Sequence, residues 1–407
     1  MTEPRRIVIA GAGLAGATAA AVLRERGYDG EVLLFGAERR RPYELPALSK
    51  GVMLRDTDEP DWVRAEEFYR DHHIDLRSGT EITRVRVDEH VVVDDGGAEH
   101  HYDRLLLATG SRPRRLSVPG GDRADLHVLR TLDDSLALRE KLTDGARVVI
   151  VGAGWIGCEV AAAARKHGAS VTVADPLPLP LRAALGDEIG EVFRGLHAEH
   201  GVDLRLGVGV EGFDGDGDVV RSVQLTDGSE VPADVVVVGV GAAPRLALAE
   251  QAGLELAGGG IAVDAALRTS APDICAAGDI AAHDHPKYHG RVRVEHWANA
   301  KNQGEHVAGS LLGGSDPYQS SPYFFSDQYD LGCEYRGLAD PASDELVVRG
   351  DLAGREFTAF WLRDGRVTAA MNVNAWDDGD ALKALVDGRA EVSAEQLRSA
   401  ELAALAG

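Results

Sequence analysis

Cysteine is scarce in this chain. Its three cysteines, Cys158, Cys275 and Cys333, lie far apart and form no C-x-x-C pair. The spacing therefore excludes a redox-dithiol motif of that type and a cysteine zinc site. Dispersed thiols are typical of proteins from a reducing compartment, so we expect all three to be free and the protein to be cytoplasmic. No neighbour of Cys158 completes a catalytic pair, and we expect it to pack in the core.

Long apolar runs are absent, and positive charge is outnumbered. No stretch approaches 18 consecutive apolar residues, which predicts that no helix crosses a membrane. The first residues also lack the apolar region and cleavage site of a signal peptide. Lysine and arginine total 43 against 66 aspartates and glutamates, a net charge of −23. That charge opposes attraction to nucleic acid and to anionic membranes, and we expect neither as a partner.

What the chain does contain is an internal repeat. Residues 7–27 (IVIAGAGLAGATAAAVLRERG) and 148–168 (VVIVGAGWIGCEVAAAARKHG) match at 10 of 21 positions, including every glycine of the motif. Each copy begins with a short continuous apolar run, which is typical of a parallel strand buried on both faces. An alanine-rich helix follows and ends at the last glycine of the copy. With second strands at 31–35 and 170–174, the sequence predicts two βαβ units in an α/β protein.

Strand and turn signals outside the repeat indicate smaller sheets and a third module. They predict strands at 104–108, 234–238, 346–349 and 357–362, hairpin turns at 94–97, 227–228 and 364–365, and a glycine loop at 258–260. From about residue 320 the pattern changes to strand-like segments followed by a terminal helix at 394–405, with Ser393 placed to cap it. That region reads as an α+β module.

The first glycine motif has the pattern of a dinucleotide site. Gly11, Gly13, Ala15 and Gly16 lie in a GxGxxG that follows a strand and opens a helix. The first glycine permits the turn, the second lets a pyrophosphate approach, and the third lets helix and strand pack. Glu38, 22 residues past Gly16, is placed to hold a ribose hydroxyl. The alternative is a glycine-rich turn without a ligand.

The second motif repeats that pattern. It contains Gly152, Gly154, Trp155, Ile156 and Gly157. Asp175, 18 residues past Gly157, is placed to bind a ribose and to repel a 2′-phosphate. Residues 176–181 carry no cation to offset that repulsion, which predicts NADH rather than NADPH. Two dinucleotide sites in one chain indicate FAD and a nicotinamide cofactor, because hydride passes between them.

Further segments make the sequence similar to a known family. It resembles the putidaredoxin-reductase-like, FAD-dependent NADH:ferredoxin reductases that serve bacterial cytochrome P450 and dioxygenase systems. The segments that carry the resemblance, besides the two glycine motifs, are RPYELPALSK (41–50), ATGSRP (108–113), LRTLD (129–133), GVGAAP (239–244), TSAPDICAAGD (269–279), VEHWAN (294–299) and PYFFSDQY (322–329).

The resemblance implies a fold and a function. The fold is glutathione-reductase-like, with a discontinuous FAD-binding domain (1–112 and 240–319), an NAD-binding domain (113–239) and a C-terminal interface domain (320–407). The enzyme passes hydride from NADH to FAD and then single electrons to a small iron–sulfur ferredoxin, which supplies an oxygenase. It is a monomer or a weak dimer.

The resemblance also assigns roles to individual residues. Lys50 and Glu159 meet near the reactive flavin nitrogen and act as the catalytic pair, with Lys50 also contacting FAD. Further FAD contacts are Arg41, Thr109, Gly110, Arg130, Asp279, Glu295 and Trp297, and further NAD contacts are Gly239 and Gly241. Asp279 is expected at the start of a helix near Ile280, where an N-cap is the alternative role.

The chain departs from the family at three positions. Leu45 and Ala47 stand where an arginine and a proline are common, and Phe325 stands where a tryptophan is common. The first 157 residues also lack the redox cysteines that the disulfide reductases, peroxidases and NADH oxidases of this superfamily carry. Their absence indicates direct delivery of electrons from flavin to a protein carrier.

Three clusters, one of histidines and two of arginines, are expected at the surface. His283, His285 and His289 match no compact zinc pattern, so we expect a surface loop and no metal. Arginines at 39–41 and at 112, 114 and 115 are candidates for docking an acidic ferredoxin.

Alternative functions remain open at this stage. One is an NADH-dependent reductase for rubredoxin, a quinone or a small molecule such as monodehydroascorbate. Another, of a different class, is a scaffold or sensor that binds both dinucleotides without turnover.

Overall fold

The computed structural model describes residues 4–288 and 290–406. The helices in that part of the chain are α1 (Leu14–Glu25), α2 (Glu66–Asp71), α3 (Leu132–Lys141), α4 (Trp155–Lys166), α5 (Arg182–Leu185), α6 (Asp187–Glu199), α7 (Ala247–Gln251), α8 (Trp297–Leu311), α9 (Gly379–Asp387), α10 (Ala394–Ser399) and α11 (Leu402–Leu405). Within these described residues, no helix is both long and apolar enough to cross a membrane.

The strands are short and numerous. Those up to residue 151 are β1 (Arg6–Ala10), β2 (Glu31–Gly36), β3 (Ile74–Ser78), β4 (Ile82–Arg86), β5 (Val91–Asp94), β6 (Glu99–His101), β7 (Arg104–Leu107), β8 (Ser111–Pro113), β9 (Leu126–His127) and β10 (Arg147–Val151). Those that follow are β11 (Ser170–Asp175), β12 (Asp203–Leu206), β13 (Val210–Asp216), β14 (Val219–Leu225), β15 (Glu230–Pro232), β16 (Val235–Val238), β17 (Ala242–Pro244), β18 (Leu256–Ala257), β19 (Gly260–Val263), β20 (Ile274–Ala276), β21 (Ala281–His285), β22 (Gly290–Val292), β23 (Tyr323–Gln328), β24 (Leu331–Gly337), β25 (Glu345–Asp351), β26 (Glu356–Arg363) and β27 (Arg366–Val373).

The chain divides into two compact units, each assembled from three segments. Unit 1 comprises Met1–Glu44, Asp61–Arg112 and Ala243–Pro322, and unit 2 comprises Leu45–Pro60, Pro113–Ala242 and Tyr323–Gly407. The stretch 45–60 therefore belongs with unit 2, although it lies between two segments of unit 1 in sequence.

Unit 1 is built on a parallel sheet in the order β20-β7-β1-β2-β3. The four apolar residues Ile7–Ala10 of β1 are at most 1% exposed, since strands flank β1 on both sides and its two faces are covered. Helices α1 and α8 pack closely against each other. Two smaller sheets, β4-β5-β6 and β18-β19-β21-β22, complete the unit.

Unit 2 repeats the parallel sheet and adds an antiparallel one. The parallel sheet has the order β12-β11-β10-β16-β9, and a small sheet, β13-β14-β15, accompanies it. The antiparallel sheet, β23-β24-β27-β26-β25, together with α9 to α11 forms the part of unit 2 from residue 323 onward, called here the C-terminal module. Phe193 of α6 and Cys158 of α4 share one apolar cluster with Trp361 and Met371 of this sheet. The module is therefore packed on the helices of the second βαβ unit.

The repeat, the strands and the hairpin turns predicted from sequence are confirmed. Each predicted strand is present with its ends at most two residues from the predicted ones, and Gly27 and Gly168 follow their helices with positive φ angles. The turn at Asp364 and Gly365 joins β26 to β27 with both residues at positive φ. Such two-residue turns match the twist of the strands they connect.

Two predictions about helices were wrong. The segment 394–405 is two helices with a break at Ala400, because the break lets both Leu397 and Leu402 enter the same apolar cluster. Ser393 does cap α10. No helix begins near Ile280, since a single 3-10 turn (Gly278–Ile280) leads directly into β21.

The histidines assigned to a surface loop are instead buried. His283 and His285 lie on β21 and are 1% and 2% exposed, while His289 lies outside the described residues. The sequence HDHPKYH reads as a loop because of its proline. Its first half is a strand that pairs with β19 and β22, and this tertiary pairing overrides the local signal.

Buried neutral histidines should make the fold acid-sensitive. Burial lowers the pKa of His197, His283 and His296 to about 4. The unfolded chain takes up these protons near pH 6.5, whereas the folded chain does so only near pH 4. The stability that depends on neutral histidines is therefore complete above pH 6.5 and is lost as the pH falls towards 4. Each histidine should cost about 2 kcal/mol of unfolding free energy between pH 7 and pH 5.

The measurement is urea unfolding of wild type and His283→Leu at both pH values. The change in packing affects the variant at pH 7 and pH 5 alike, so only the difference between the two pH values is compared. We expect the variant to lose less unfolding free energy between pH 7 and pH 5 than the wild type does. An equal loss would show that His283 does not titrate in this range.

Candidate functional site

The first glycine of each motif is required by close backbone contact. Gly11 has φ +120°, and a Cβ added there would lie 2.1 Å from the carbonyl oxygen of Ala108, just after β7. Gly152 has φ +106°, and its added Cβ would lie 2.5 Å from the carbonyl oxygen of Gly239, just after β16. In both parallel sheets, the strand that pairs with β1 or β10, namely β7 or β16, therefore ends against the glycine loop in the same way.

The second glycine of each motif faces open space. Gly13 and Gly154 are the N-caps of the twelve-residue helices α1 and α4, and no side chain caps either helix. A Cβ added at either glycine would meet nothing within 4 Å. Uncapped amides at a helix N-terminus attract anions, and the open space admits one. The two loops therefore fit the pyrophosphates of two dinucleotides.

The third glycine lets each helix approach its own loop. A Cβ at Gly16 or Gly157 would lie 1.9 or 2.0 Å from the carbonyl oxygen of the first glycine. Beside Gly157, Ile156 is 42% exposed. Trp155 instead packs edge-on against Phe324 of β23, with ring centroids 4.5 Å apart. The second glycine motif is thus in contact with the C-terminal module.

The acidic residues after each second strand have protein partners. The hydroxyl of Tyr43 donates to Glu38 Oε2 at 2.6 Å. The amides of Ala153 and Leu177 each donate to Asp175, one to each carboxylate oxygen, at 2.7 Å. Asp175 thus holds the glycine loop to the end of β11, a role that the sequence did not indicate. Each oxygen keeps a lone pair for a further donor.

In unit 1 the structure brings Asp279 close to the first glycine loop. Gly278, whose φ is +79°, lies so close to α1 that an added Cβ would be 3.3 Å from the Cβ of Ala15. Asp279 follows in the same 3-10 turn. Thr109 donates from its hydroxyl to the carbonyl of Arg245, and Gly110 accepts from the amide of Arg245. These contacts fix the segment that follows β7.

The remaining predicted FAD contacts of unit 1 are engaged within the protein. The indole Nε1 of Trp297 donates to Glu44 at 2.7 Å, and Glu295 pairs with Arg293. The guanidinium of Arg41 lies 4.1 Å from the ring centroid of Trp62. Arg41 also lies 3.6 Å from Glu66.

Two predicted contacts of unit 2 lie at element ends. Arg130 precedes α3, and its amide donates to Asp134. Gly241, with φ +93°, accepts from the amide of Arg114 at its carbonyl. Arg114 also donates from its side chain to the carbonyl of Ala242. One of the arginines expected to dock a partner is therefore committed to a backbone contact.

Lys50 and Glu159 meet in unit 2. Lys50 Nζ lies 2.8 Å from Glu159 Oε1, and the lysine side chain is 17% exposed. Two hydroxyls donate to the same carboxylate, Ser49 to Oε2 at 2.5 Å and Ser326 to Oε1 at 2.6 Å. Glu159 is 5% exposed and lies on the first turns of α4. Three donors therefore satisfy the hydrogen-bonding capacity of this buried carboxylate.

The three departures from the family lie around this charge pair. Phe325 places its ring centroid 5.0 Å from Lys50 Nζ, a cation–π distance. Leu45 and Ala47 lie at the start of a 3-10 turn (Pro46–Leu48) that leads directly to Ser49. The substitutions thus shape the turn that presents Ser49 and Lys50.

The neighbouring thiols are inert. Cys158 and Cys333 are buried and free, as expected, and burial together with the Glu159 carboxylate raises the pKa of each thiol. Both therefore stay protonated near neutral pH. Among residues 4–288 and 290–406, no group of three or more histidine, cysteine, aspartate or glutamate side chains is arranged to hold a metal ion.

Ser49 and Ser326 are the site residues that sequence reasoning missed. Both lie inside segments that carry the family resemblance, 41–50 and 322–329. Neither segment contains a signal for its partner, because the two hydroxyls meet Glu159 across 110 and 167 residues of sequence.

Comparisons with known proteins agree with this geometry. Residues 5–304 match the pyridine nucleotide-disulphide oxidoreductase family, and residues 323–406 match the reductase C-terminal family. The chain is 41% identical over 395 residues to the ferredoxin–NAD(+) reductase component of an anthranilate 1,2-dioxygenase system from Burkholderia cepacia, covering 96% of each chain. It is 36% identical over 398 residues to putidaredoxin reductase from Pseudomonas putida, covering 96% of this chain and 94% of the relative.

Solved structures give the same result. The chain superposes on the reductase in a covalent putidaredoxin reductase–putidaredoxin complex with a TM-score of 0.95 at 35% identity, covering 99% of this chain and 98% of the other. It superposes on a ferredoxin reductase for the CYP199A2 system of Rhodopseudomonas palustris with a TM-score of 0.94 at 36% identity, covering 99% and 100%.

The two loop glycines of unit 2 should respond differently to alanine. Gly154→Ala should leave the melting temperature unchanged and raise the KM for NADH at least about tenfold, because its methyl group enters only the open space. Gly152→Ala should lower the melting temperature, because its Cβ overlaps the Gly239 carbonyl. Both are measured by thermal unfolding and steady-state kinetics. An unchanged KM for Gly154→Ala would place the nucleotide elsewhere.

Asp175 should determine nucleotide choice. The wild type should show a kcat/KM for NADH at least about tenfold above that for NADPH, because the carboxylate repels a 2′-phosphate. Asp175→Asn should reduce this ratio. Asp234→Asn, at the opposite end of the same sheet, is the control and should not change it. Comparable efficiency of the wild type with both cofactors would contradict the assignment.

Proposed function

We propose, from the premise that this chain belongs to the pyridine nucleotide-disulphide oxidoreductase family, that it is an NADH:ferredoxin reductase. It passes hydride from NADH to FAD and single electrons to a small iron–sulfur ferredoxin that supplies an oxygenase such as a cytochrome P450 or a dioxygenase. FAD, when bound, accepts two electrons together and releases them one at a time.

One observation carries the proposal more than any other. Two glycine loops, each with an uncapped helix and open space before it, occur in the same chain as a lysine paired with a buried carboxylate. The loops account for two dinucleotides, and the pair supplies a fixed positive charge. The relatives named as reductases for ferredoxin and putidaredoxin match over nearly the whole chain, so their acceptor class is the one proposed here.

The proposed division of labour follows the three modules expected from sequence. Residues 1–112 and 240–319 bind FAD, residues 113–239 bind NADH, and the C-terminal module faces the carrier. Glu38, Asp279 and the first glycine loop hold FAD. The second loop and Asp175 hold NADH. Lys50 stabilises negative charge that develops on the flavin, and Glu159 keeps the lysine in place.

A thiol relay is not part of the proposal. The superfamily name refers to disulfides, but Cys158 and Cys333 are buried thiols whose raised pKa opposes thiolate formation. Cys275 is buried as well. Electrons therefore pass from flavin to carrier without a protein disulfide.

Two rapid assays test the function. Stopped-flow mixing with NADH should bleach the flavin absorbance within milliseconds to seconds, which a non-catalytic scaffold would not do. Cytochrome c reduction should then require an added ferredoxin. Full activity with a quinone, rubredoxin or monodehydroascorbate, together with no dependence on ferredoxin, would overturn the proposed acceptor.

Removing the lysine charge should slow reduction rather than weaken binding. Lys50→Met should reduce the rate of flavin reduction by NADH at least about tenfold, the effect expected of one charge-assisted contact. The apparent Kd for NADH in the same stopped-flow series should change little. The matched control is Lys383→Met, an exposed lysine of α9 paired with Asp387. A wild-type rate for Lys50→Met would show that Lys50 has no part in hydride transfer.

An exposed arginine is proposed to guide the acidic carrier. Arg115→Glu should lower ferredoxin-dependent turnover and leave NADH–ferricyanide activity unchanged. Arg114 is unsuitable for this test because its side chain supports the Ala242 carbonyl. The difference from wild type should shrink as ionic strength rises through about 0.1 M, where the Debye length is roughly 10 Å. Arg221→Glu changes the charge equally and is the control. No loss in Arg115→Glu would place docking on another surface.

A further inference from the structure

We propose that a buried hydrogen-bond chain, from Tyr329 through His197, Gln328 and Ser326 to Glu159, positions Lys50 for its reaction. This inference rests on the proposed function for the role of Lys50. It assigns a task to four side chains that neither the sequence motifs nor the family match identifies. They act through Glu159, so they are positioning residues rather than catalytic ones.

The hydrogen bonds nearest Glu159 have a defined donor and acceptor. Ser326 Oγ lies 2.6 Å from Glu159 Oε1, the same oxygen that Lys50 Nζ approaches at 2.8 Å. Gln328 Nε2 donates to Ser326 Oγ at 3.1 Å. Because the hydroxyl accepts from the amide, its own proton is committed to Glu159.

The other end continues with the same direction. Gln328 Oε1 lies 3.0 Å from His197 Nε2, so that nitrogen carries the proton. His197 Nδ1 then accepts from the hydroxyl of Tyr329 at 3.3 Å. Both ring nitrogens are satisfied only in the neutral tautomer with the proton on Nε2. Burial lowers the pKa of His197 to about 4, so this tautomer persists at neutral pH.

Burial makes this direction consequential. Ser326, Gln328 and His197 are each 1% exposed, and they join β23 and α6 to α4, which carries Glu159. In such surroundings a hydroxyl turned away from Glu159 would leave a donor unsatisfied, which is costly. The hydrogen-bond chain therefore has one favoured arrangement, in which the Ser326 hydroxyl donates to the Glu159 carboxylate. The C-terminal module thereby fixes the counter-ion of Lys50.

The hydrogen-bond chain orients the Ser326 hydroxyl and does not conduct protons. Gln328 stands in its middle, and an amide has no proton that it readily gives up and replaces. Protonation of Glu159 from the far end is therefore blocked. The other titratable groups beside the pair are Asp327 and the thiols of Cys158 and Cys333, and burial raises the pKa of all three.

The test compares one deletion with its conservative replacement. Ser326→Ala removes the donor to Glu159, and Ser326→Thr keeps a hydroxyl. Thr368→Val is the matched control, since Thr368 is a buried hydroxyl of the same module that donates to the carboxylate of Asp344 at 2.8 Å, away from Glu159. The readouts are the rate of flavin reduction by NADH from pH 5 to 9 and the midpoint potential of the bound flavin.

We expect Ser326→Ala to reduce the rate about three- to tenfold at pH 7, in line with one hydrogen bond to a charged group. The midpoint potential should become more negative, and Ser326→Thr should restore both readouts. Thr368→Val should lower the melting temperature without moving either one.

A milder variant keeps the test decisive if Ser326→Ala does not fold. Tyr329→Phe removes only the far hydroxyl and should change the rate and the midpoint potential in the same direction by a smaller amount. Wild-type profiles for these variants, with Lys50→Met still impaired, would overturn the positioning chain and leave the proposed function intact. A wild-type rate for Lys50→Met would instead refute the role of Lys50 itself.

Discussion

One buried carboxylate joins the three segments of unit 2. Glu159 lies in the N-terminal half of α4. Its carboxylate accepts hydrogen bonds from Ser49 and Lys50 of the stretch 45–60 and from Ser326 of the C-terminal module. A buried charge is tolerated only when donors satisfy it. The segment that carries Glu159 therefore depends on the donors that the other two segments supply. The same contacts that hold unit 2 together also place the lysine on which the proposed chemistry depends.

A second constraint acts on the two parallel sheets. In each, the turn after β1 or β10 passes so close to the end of the neighbouring strand, β7 or β16, that only glycine fits. The next helix then starts without a side-chain cap. The uncapped amides are a cost to the unliganded protein that a bound anion offsets. Nucleotide affinity and local stability are therefore linked at both loops.

The sequence predicted what depends on local pattern. Glycine spacing, apolar runs and turn residues were enough for the βαβ units, the hairpins and the loop positions. It failed where distant packing decides, as in the buried strand at His283 and the break at Ala400. The pairing of Lys50 with Glu159 was expected only through family resemblance. The hydroxyls of Ser49 and Ser326, and the hold of Asp175 on its own glycine loop, depend on tertiary contacts that no local pattern indicates.

The dispersal of unit 2 along the chain has a consequence for biosynthesis. Ser326 is made 167 residues after Glu159, which at ordinary translation rates is a delay of roughly ten to thirty seconds. During that interval the nascent chain contains Lys50 and Glu159 without the Ser326 donor. The apolar faces of α4 and α6 stay exposed until the sheet that covers them is made. The growing polypeptide should therefore need chaperone protection until its final module leaves the ribosome.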